Sequence, residues 1–123
     1  MPYLVFRVHA ILDFEDQMSH TRKEWSIILG YEVRLDVWFE TKRGRVQAFG
    51  ITLNVLEGGQ MRPVVRYDTA HRVVHKHTFW GGRERVEQNP FRTRSLNEAF
   101  QRAYADISKN WERYLELYRG ERR

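Results

Sequence analysis

The 123-residue chain has no cysteine. Disulfides and thiolate metal sites are therefore excluded, and the absence fits a reducing compartment. Proline is scarce, with three residues. No run approaches the ~18 apolar residues that a membrane-spanning helix needs. The opening "MPYLVFRVHAILDFEDQ" lacks a basic leader segment and alternates apolar with polar residues, so it reads as a strand and not a signal peptide. No G-x-x-x-x-G-K-[ST], G-x-G-x-x-G or H-E-x-x-H occurs, which removes the common phosphate-loop, dinucleotide and zinc-protease signatures. "EGG" and "WGG" are too short to serve as phosphate loops. These absences describe a soluble, cytoplasmic protein with no cofactor assigned and no membrane partner.

Apolar side chains are well represented. The hydrophobic fraction is 41% and the aromatic fraction 14%, enough apolar surface to offset chain entropy in a single domain over 1–123. The net charge is +5. Residues 1–60 carry 7 Lys/Arg against 8 Asp/Glu, whereas residues 62–94 carry 8 against 3. The excess is thus concentrated in one segment, where it favours a polyanionic partner. A solvated basic surface is the plain alternative.

Period-two alternation marks strands over about 3–14, 25–40, 45–56, 62–68 and 73–80. In the second, Trp25, Ile27, Leu29, Tyr31, Val33, Leu35, Val37 and Phe39 share one face, with a bend expected at Gly30. "TKRG" (41–44) reads as a four-residue turn that sets Val46 against Phe39 and Ala48 against Val37. The apolar parity then slips, so one extra residue near Ala48–Gly50 is expected to form a β-bulge and bring Ile51 opposite Leu35. The segment 15–23 reads as a loop or short helix. At the C-terminus, Ser95 and Glu98 form a capping box. Leu96, Ala99, Phe100, Ala103, Tyr104, Ile107, Trp111, Tyr114, Leu115 and Tyr118 follow at helical spacing over about 96–119. The stripe is expected to pack on the sheet. The fold class is α+β: a curved antiparallel β-meander of about five strands covered by one long C-terminal helix.

The basic segment contains "VVRYDTAHRVVHKHTFW" (64–80), with three of the five histidines in seven positions. His75 and His77 are two apart and share a strand face. A symmetric hairpin closed by "TAHR" sets residue 66 opposite 75 and 68 opposite 73. Arg66, Asp68, His75 and His77 then project from one side, with His71 at the turn. The preceding turn leaves one conflict. If "EGGQ" is a simple turn, Leu53 pairs with Val64 and Arg66 falls on the apolar face, unless Pro63 marks an irregularity.

Three readings of the cluster compete. In metal-free RNA cleavage, one imidazole takes the ribose 2′-hydroxyl proton and a second donates to the leaving 5′-oxygen. Arg66 or Lys76 then stabilises the phosphate charge, and Asp68 fixes a tautomer. In a metal site, H-x-H with a third His and an Asp supplies ligands, although Arg66 and Lys76 oppose a divalent cation. In the third, the histidines are simply exposed strand residues. His9 and His20 lie outside the pattern.

Arg66-Tyr67-Asp68, His75-Lys76-His77 and Ser95-Leu96, spread over about 62–107, resemble the TumE-like toxin components of prokaryotic toxin–antitoxin systems. Those proteins share an R-Y-D strand, a short turn, an H-x-H strand and a terminal helix with an apolar–aromatic stripe. The turn Thr69-Ala70-His71-Arg72 departs from the family's acidic or glycine-containing one. The resemblance implies a toxin held by a cognate antitoxin and acting on an RNA- or nucleotide-related process. Residue types and spacing, not the resemblance, set the catalytic expectation: an RNA-acting, metal-independent ribonuclease. Its catalytic candidates are His75, His77, Arg66, Asp68 and His71; its nucleic-acid contacts are Lys76, Arg72, Arg62, Arg83 and Arg85. A non-catalytic nucleic-acid- or protein-binding module is the alternative, and a homodimer is compatible with either.

Overall fold

A computed structural model describes residues 3–12 and 19–120, with side chains from His20 onward. The elements in chain order are β1 (Tyr3–Leu12), β2 (Ser19–Gly30), β3 (Val33–Lys42), β4 (Arg45–Glu57), β5 (Gln60–Ala70), β6 (Val73–Thr78), β7 (Arg85–Gln88) and α1 (Leu96–Gly120). The seven strands form one antiparallel sheet in sequence order, and α1 packs on one of its faces. The α+β reading holds, with a longer meander than the five strands expected. Among the described residues no helix is long and apolar enough to cross a membrane.

The expected strand 25–40 is two strands. Gly30 pairs with Val33 across Tyr31 and Glu32, and Glu32 sits in the left-handed region (φ 63°). Alternation misled here because the hairpin reverses the chain without breaking parity: Leu29 and Val33 both pack toward the core. Residues 19–23, expected as loop or helix, belong to β2, so His20 is a strand residue. Residues 13–18 lie outside the described residues.

Four hairpins close with two residues, at 31–32, 43–44, 58–59 and 71–72, where "TKRG" and "TAHR" had been expected to close with four. Arg43-Gly44, Gly58-Gly59 and His71-Arg72 each place both central residues at positive φ, the turn that matches the right-handed strand twist. The shorter turn at 43–44 moves the β3–β4 register. Phe39 pairs with Phe49 and Val37 with Ile51, while Glu40 faces Ala48 and Thr41 faces Val46. Gln47 is therefore the extra residue, just before the expected interval. Leu35 meets Leu53, where Ile51 had been expected.

A second bulge decides the functional face. Leu53 pairs with Val65 and Asn54 with Pro63, leaving Val64 extra. Val64 and Val65 are consecutive and both fully buried. Proline cannot donate to the ladder, so the pairing breaks beside it. The inserted residue shifts the parity of everything after it. Tyr67 turns into the core and Arg66 turns away from it.

The core lies between sheet and helix. Leu35, Val37, Phe49, Ile51, Leu53, Val55, Val65 and Tyr67 from the sheet meet Ala99, Ala103, Ile107, Leu115 and Tyr118 from α1. At one end Trp25, Phe39 and Phe49 surround Phe100, with centroids 5.3–6.4 Å from it. All ten helix positions named from sequence are in or against this core. Glu98 N–H donates to Ser95 Oγ (3.1 Å), and Glu98 Oε2 accepts from Arg94 N–H (3.1 Å). The return bond of the box thus goes one residue earlier than usual. Among the described residues the other face of the sheet carries no helix, as antiparallel sheets allow.

A candidate functional site on the open sheet face

The β5–β6 register builds the site. Ala70 pairs with Val73, Asp68 with His75, and Arg66 with His77. Because the turn is two residues shorter than expected, each histidine meets the residue two positions from the one assigned from sequence. The shared face is unaffected, since a shift of two preserves parity. Arg66 continues a row across the sheet: it pairs with Thr52, Thr52 with Asp36, and Asp36 with Ser26.

His77 is the most constrained member. Its Nε2 lies 3.0 Å from Asp68 Oδ1 and its Nδ1 lies 2.6 Å from Glu84 Oε2. A ring carrying both protons donates to both carboxylates. A neutral ring leaves one lone pair against a carboxylate oxygen. Its side chain is only 16% exposed, whereas that of Glu84 is 47% exposed. Phe79 stacks on His77 (centroids 6.3 Å, 15°) and lies under the Arg66 guanidinium (5.4 Å), a cation–π arrangement.

His75 and Arg66 are less engaged. The ring centroids of His75 and His77 are 6.2 Å apart. His75 Nδ1 is buried without a hydrogen-bond partner among the described residues. Arg66 donates through Nε to Thr52 Oγ1 (3.2 Å). Beside this cluster the same face holds a cavity of about 460 Å³ lined by Ser26, Arg34, Asp36 and Trp38 among others. There Asp36 accepts from Ser26 Oγ (2.5 Å), Asn54 Nδ2 (2.6 Å) and Arg34 Nε (3.0 Å).

The remaining candidates sit elsewhere. His71 occupies the exposed hairpin tip at φ 51°. Lys76 points to the helix side, as its place between two outward histidines requires. Its Nζ donates to Tyr114 Oη (2.9 Å), lies 3.8 Å from Asp106 Oδ2 and stands over the Tyr67 ring (5.4 Å). Lys76 therefore does not join Arg66 at a phosphate beside the histidines. Arg62 lies near Glu57 (4.0 Å), at the other end of β5. Arg83 is exposed in the turn before β7. Arg85 is exposed, pairs with Thr78, and donates to Trp80 O (3.4 Å). Arg72 is exposed at the hairpin tip beside His71.

Sequence reasoning missed Glu84, Thr52 and Phe79 at the site, and one network behind it. Asp106 accepts from Tyr67 Oη (2.6 Å), Tyr114 Oη (2.5 Å) and Asn110 Nδ2 (2.9 Å). Burial opposes the Asp106 charge, but the bonds from Tyr114, Tyr67 and Asn110 and the nearby Lys76 outweigh it and hold the carboxyl below its ordinary value. Burial and the Asp106 carboxylate push both tyrosine hydroxyls up. A carboxylate on the apolar stripe of α1, three residues after Ala103, was the available signal. The network ties the middle residue of Arg66-Tyr67-Asp68 to the helix and so orients its neighbours outward.

Among the described residues, no three of His, Asp and Glu are arranged to hold a metal ion. Around His77 the reason is geometric: its two carboxylates lie at opposite ring nitrogens and share no point.

Residues 18–123 match the model of a domain family of unknown function, DUF7718. The chain belongs to that family. No match is found among curated proteins or among solved structures. The family match brings no activity with it, so the chemistry rests on the open-face residues.

Proposed function

We propose that the chain is a toxin-like protein acting on RNA, with the open face as a metal-independent ribonuclease site. The observation that carries this reading is the convergence of His75, His77, Arg66 and Asp68 on one side of the β5–β6 hairpin. His75, which shares the open face with His77, takes the proton of a ribose 2′-hydroxyl through its other ring nitrogen, Nε2, because Nδ1 is buried. The 2′-oxygen attacks phosphorus, the P–O5′ bond breaks, and His77 gives a proton to the departing O5′, leaving a 2′,3′-cyclic phosphate. Arg66 faces the charge that develops on the phosphate oxygens. Asp68 holds the His77 ring. Glu84, on the exposed turn, is the carboxylate that yields to substrate. The resemblance of residues 62–107 to TumE-like toxins supports a cognate antitoxin as partner and the cytoplasm as the site of action.

A second reading, a non-catalytic binding module, draws on one feature. His77 is hydrogen-bonded at both nitrogens, which is also how a structural histidine is held. Cleavage of a labelled RNA by wild type, His75→Ala and His77→Ala separates the two. The catalytic reading expects each substitution to lower the rate by roughly 10²-fold or more with the fold intact. RNA bound but uncleaved by the wild type would favour the binding module.

A further inference from the structure

On the helix side, between the β5–β6 hairpin tip and the segment leading into α1, lies a cleft of about 700 Å³. Arg72, Arg92, Arg94 and Phe91 line it, and no carboxylate does. Its size falls within the ~300–1,000 Å³ usual for ligand sites. We propose that this cleft binds the backbone of single-stranded RNA, as a contact surface separate from the histidine face. The proposal rests on RNA being the ligand of this protein, but not on cleavage.

Three observations support it. First, Arg72, Arg92 and Arg94 form no ion pair with any described residue through their guanidinium groups. Three guanidiniums without a carboxylate partner line one cleft, and phosphate oxygens can accept bidentate hydrogen bonds from them. Glu98, four residues after Arg94, accepts from the Arg94 backbone N–H. Second, Phe91 stacks on Tyr67 (centroids 5.3 Å, 27°). That contact fixes the ring at the cleft wall, where an unpaired base can stack. A phosphopeptide would use the arginines but has no need of the ring. Third, the position is suitable. Val74 lines the cleft, and His75, the next residue, faces the other side of the sheet. Arg72 lies three residues from His75, about 10 Å at ~3.3 Å per residue. A strand held in the cleft can pass over the hairpin tip to the open face.

The test is fluorescence anisotropy with a labelled 2′-O-methyl oligouridine, which lacks the nucleophile and cannot be cleaved. Binding is measured across a salt series. Arg72→Ala/Arg92→Ala/Arg94→Ala should weaken binding at least tenfold and reduce the log–log salt slope by about 2, at ~0.7 per phosphate contact on a single strand. Arg92→Gln/Arg94→Gln, should the triple variant fail to fold, should reduce it by about 1.4 on the same basis. A matched charge loss on the exposed helix face, Arg102→Ala/Lys109→Ala/Arg113→Ala, should leave the slope within half of that change. Equal effects from the cleft and helix variants would reduce the finding to net charge and overturn the proposal. So would wild type that binds polyglutamate but not the oligouridine. Loss of cleavage in His75→Ala with unchanged oligouridine binding would support both sites; absence of cleavage in wild type would leave the cleft's result standing.

Discussion

Replacing Asp106 by Ala removes one acceptor that serves three donors, Tyr67, Tyr114 and Asn110, and that also faces Lys76. Tyr67, 1% exposed, loses the carboxylate that accepts its hydroxyl. Tyr114 loses the same partner, and Lys76 loses its carboxylate at 3.8 Å. Leaving a buried hydroxyl unpaired costs about 1–3 kcal/mol. Removing one member of a buried ion pair costs about 3–5 kcal/mol, but this site is partly solvated, so the ionic part must be discounted strongly. The expected loss is about 2–4 kcal/mol. Tyr67→Phe removes a donor and leaves Asp106 with Tyr114 and Asn110, so it should cost about 1 kcal/mol. Acid gives an independent check. The folded carboxyl lies below its ordinary value, so its stabilisation is complete above the unfolded value of ~4 and is lost as pH falls through the folded one. The gap between wild type and Asp106→Ala should therefore be widest near pH 7 and narrow in acid. Urea unfolding, followed by tryptophan fluorescence and far-UV circular dichroism at several pH values, measures both quantities. A loss below 0.5 kcal/mol (about a third of the smallest bond to a charged group), or a gap insensitive to acid, would refute the reasoning.

Two further substitutions test how the sheet is built. A Cβ at Gly50 would lie 2.2 Å from the Trp38 indole nitrogen, so Gly50→Ala should destabilise by about 1–3 kcal/mol and change tryptophan fluorescence; urea midpoints check this. Deleting Val64 removes the bulge residue and returns Arg66 to the helix face. The variant should lose both native unfolding cooperativity and RNA cleavage, whereas Val64→Ala should keep cleavage and lose about 1–3 kcal/mol.

Helix, capping serine and core face were legible because their signal is local and repeated. Ala99, Ala103 and Ile107 recur at helical spacing, and burial leaves such positions no alternative. The strands near 45–56, 62–68 and 73–80 were equally legible; the division of 25–40 into two strands, the start of β2 at Ser19, the short β7 and the strand pairing were not. Arg43-Gly44 and His71-Arg72 each close a turn with two residues at positive φ, and nothing in "TAHR" marks it as the shorter turn, because asparagine–glycine is the usual signature. The parity conflict at Val64 was visible in advance, and Pro63 was its proper sign. The shared face of His75, His77, Arg66 and Asp68 was legible from spacing, although the residues they pair with were not. Glu84 was not, because it arrives from a different turn, and the distance between two loops is not written in either one.

Single-turnover cleavage of a labelled RNA across pH, with and without chelator, tests the central claim most directly. The account expects the rate to trace a bell, because one imidazole must be neutral and the other protonated. Chelator should leave the rate unchanged, and His75→Ala should abolish the acidic limb. A rate that is flat with pH, or that His75→Ala leaves intact, would contradict the assignment of the open face as the reacting site.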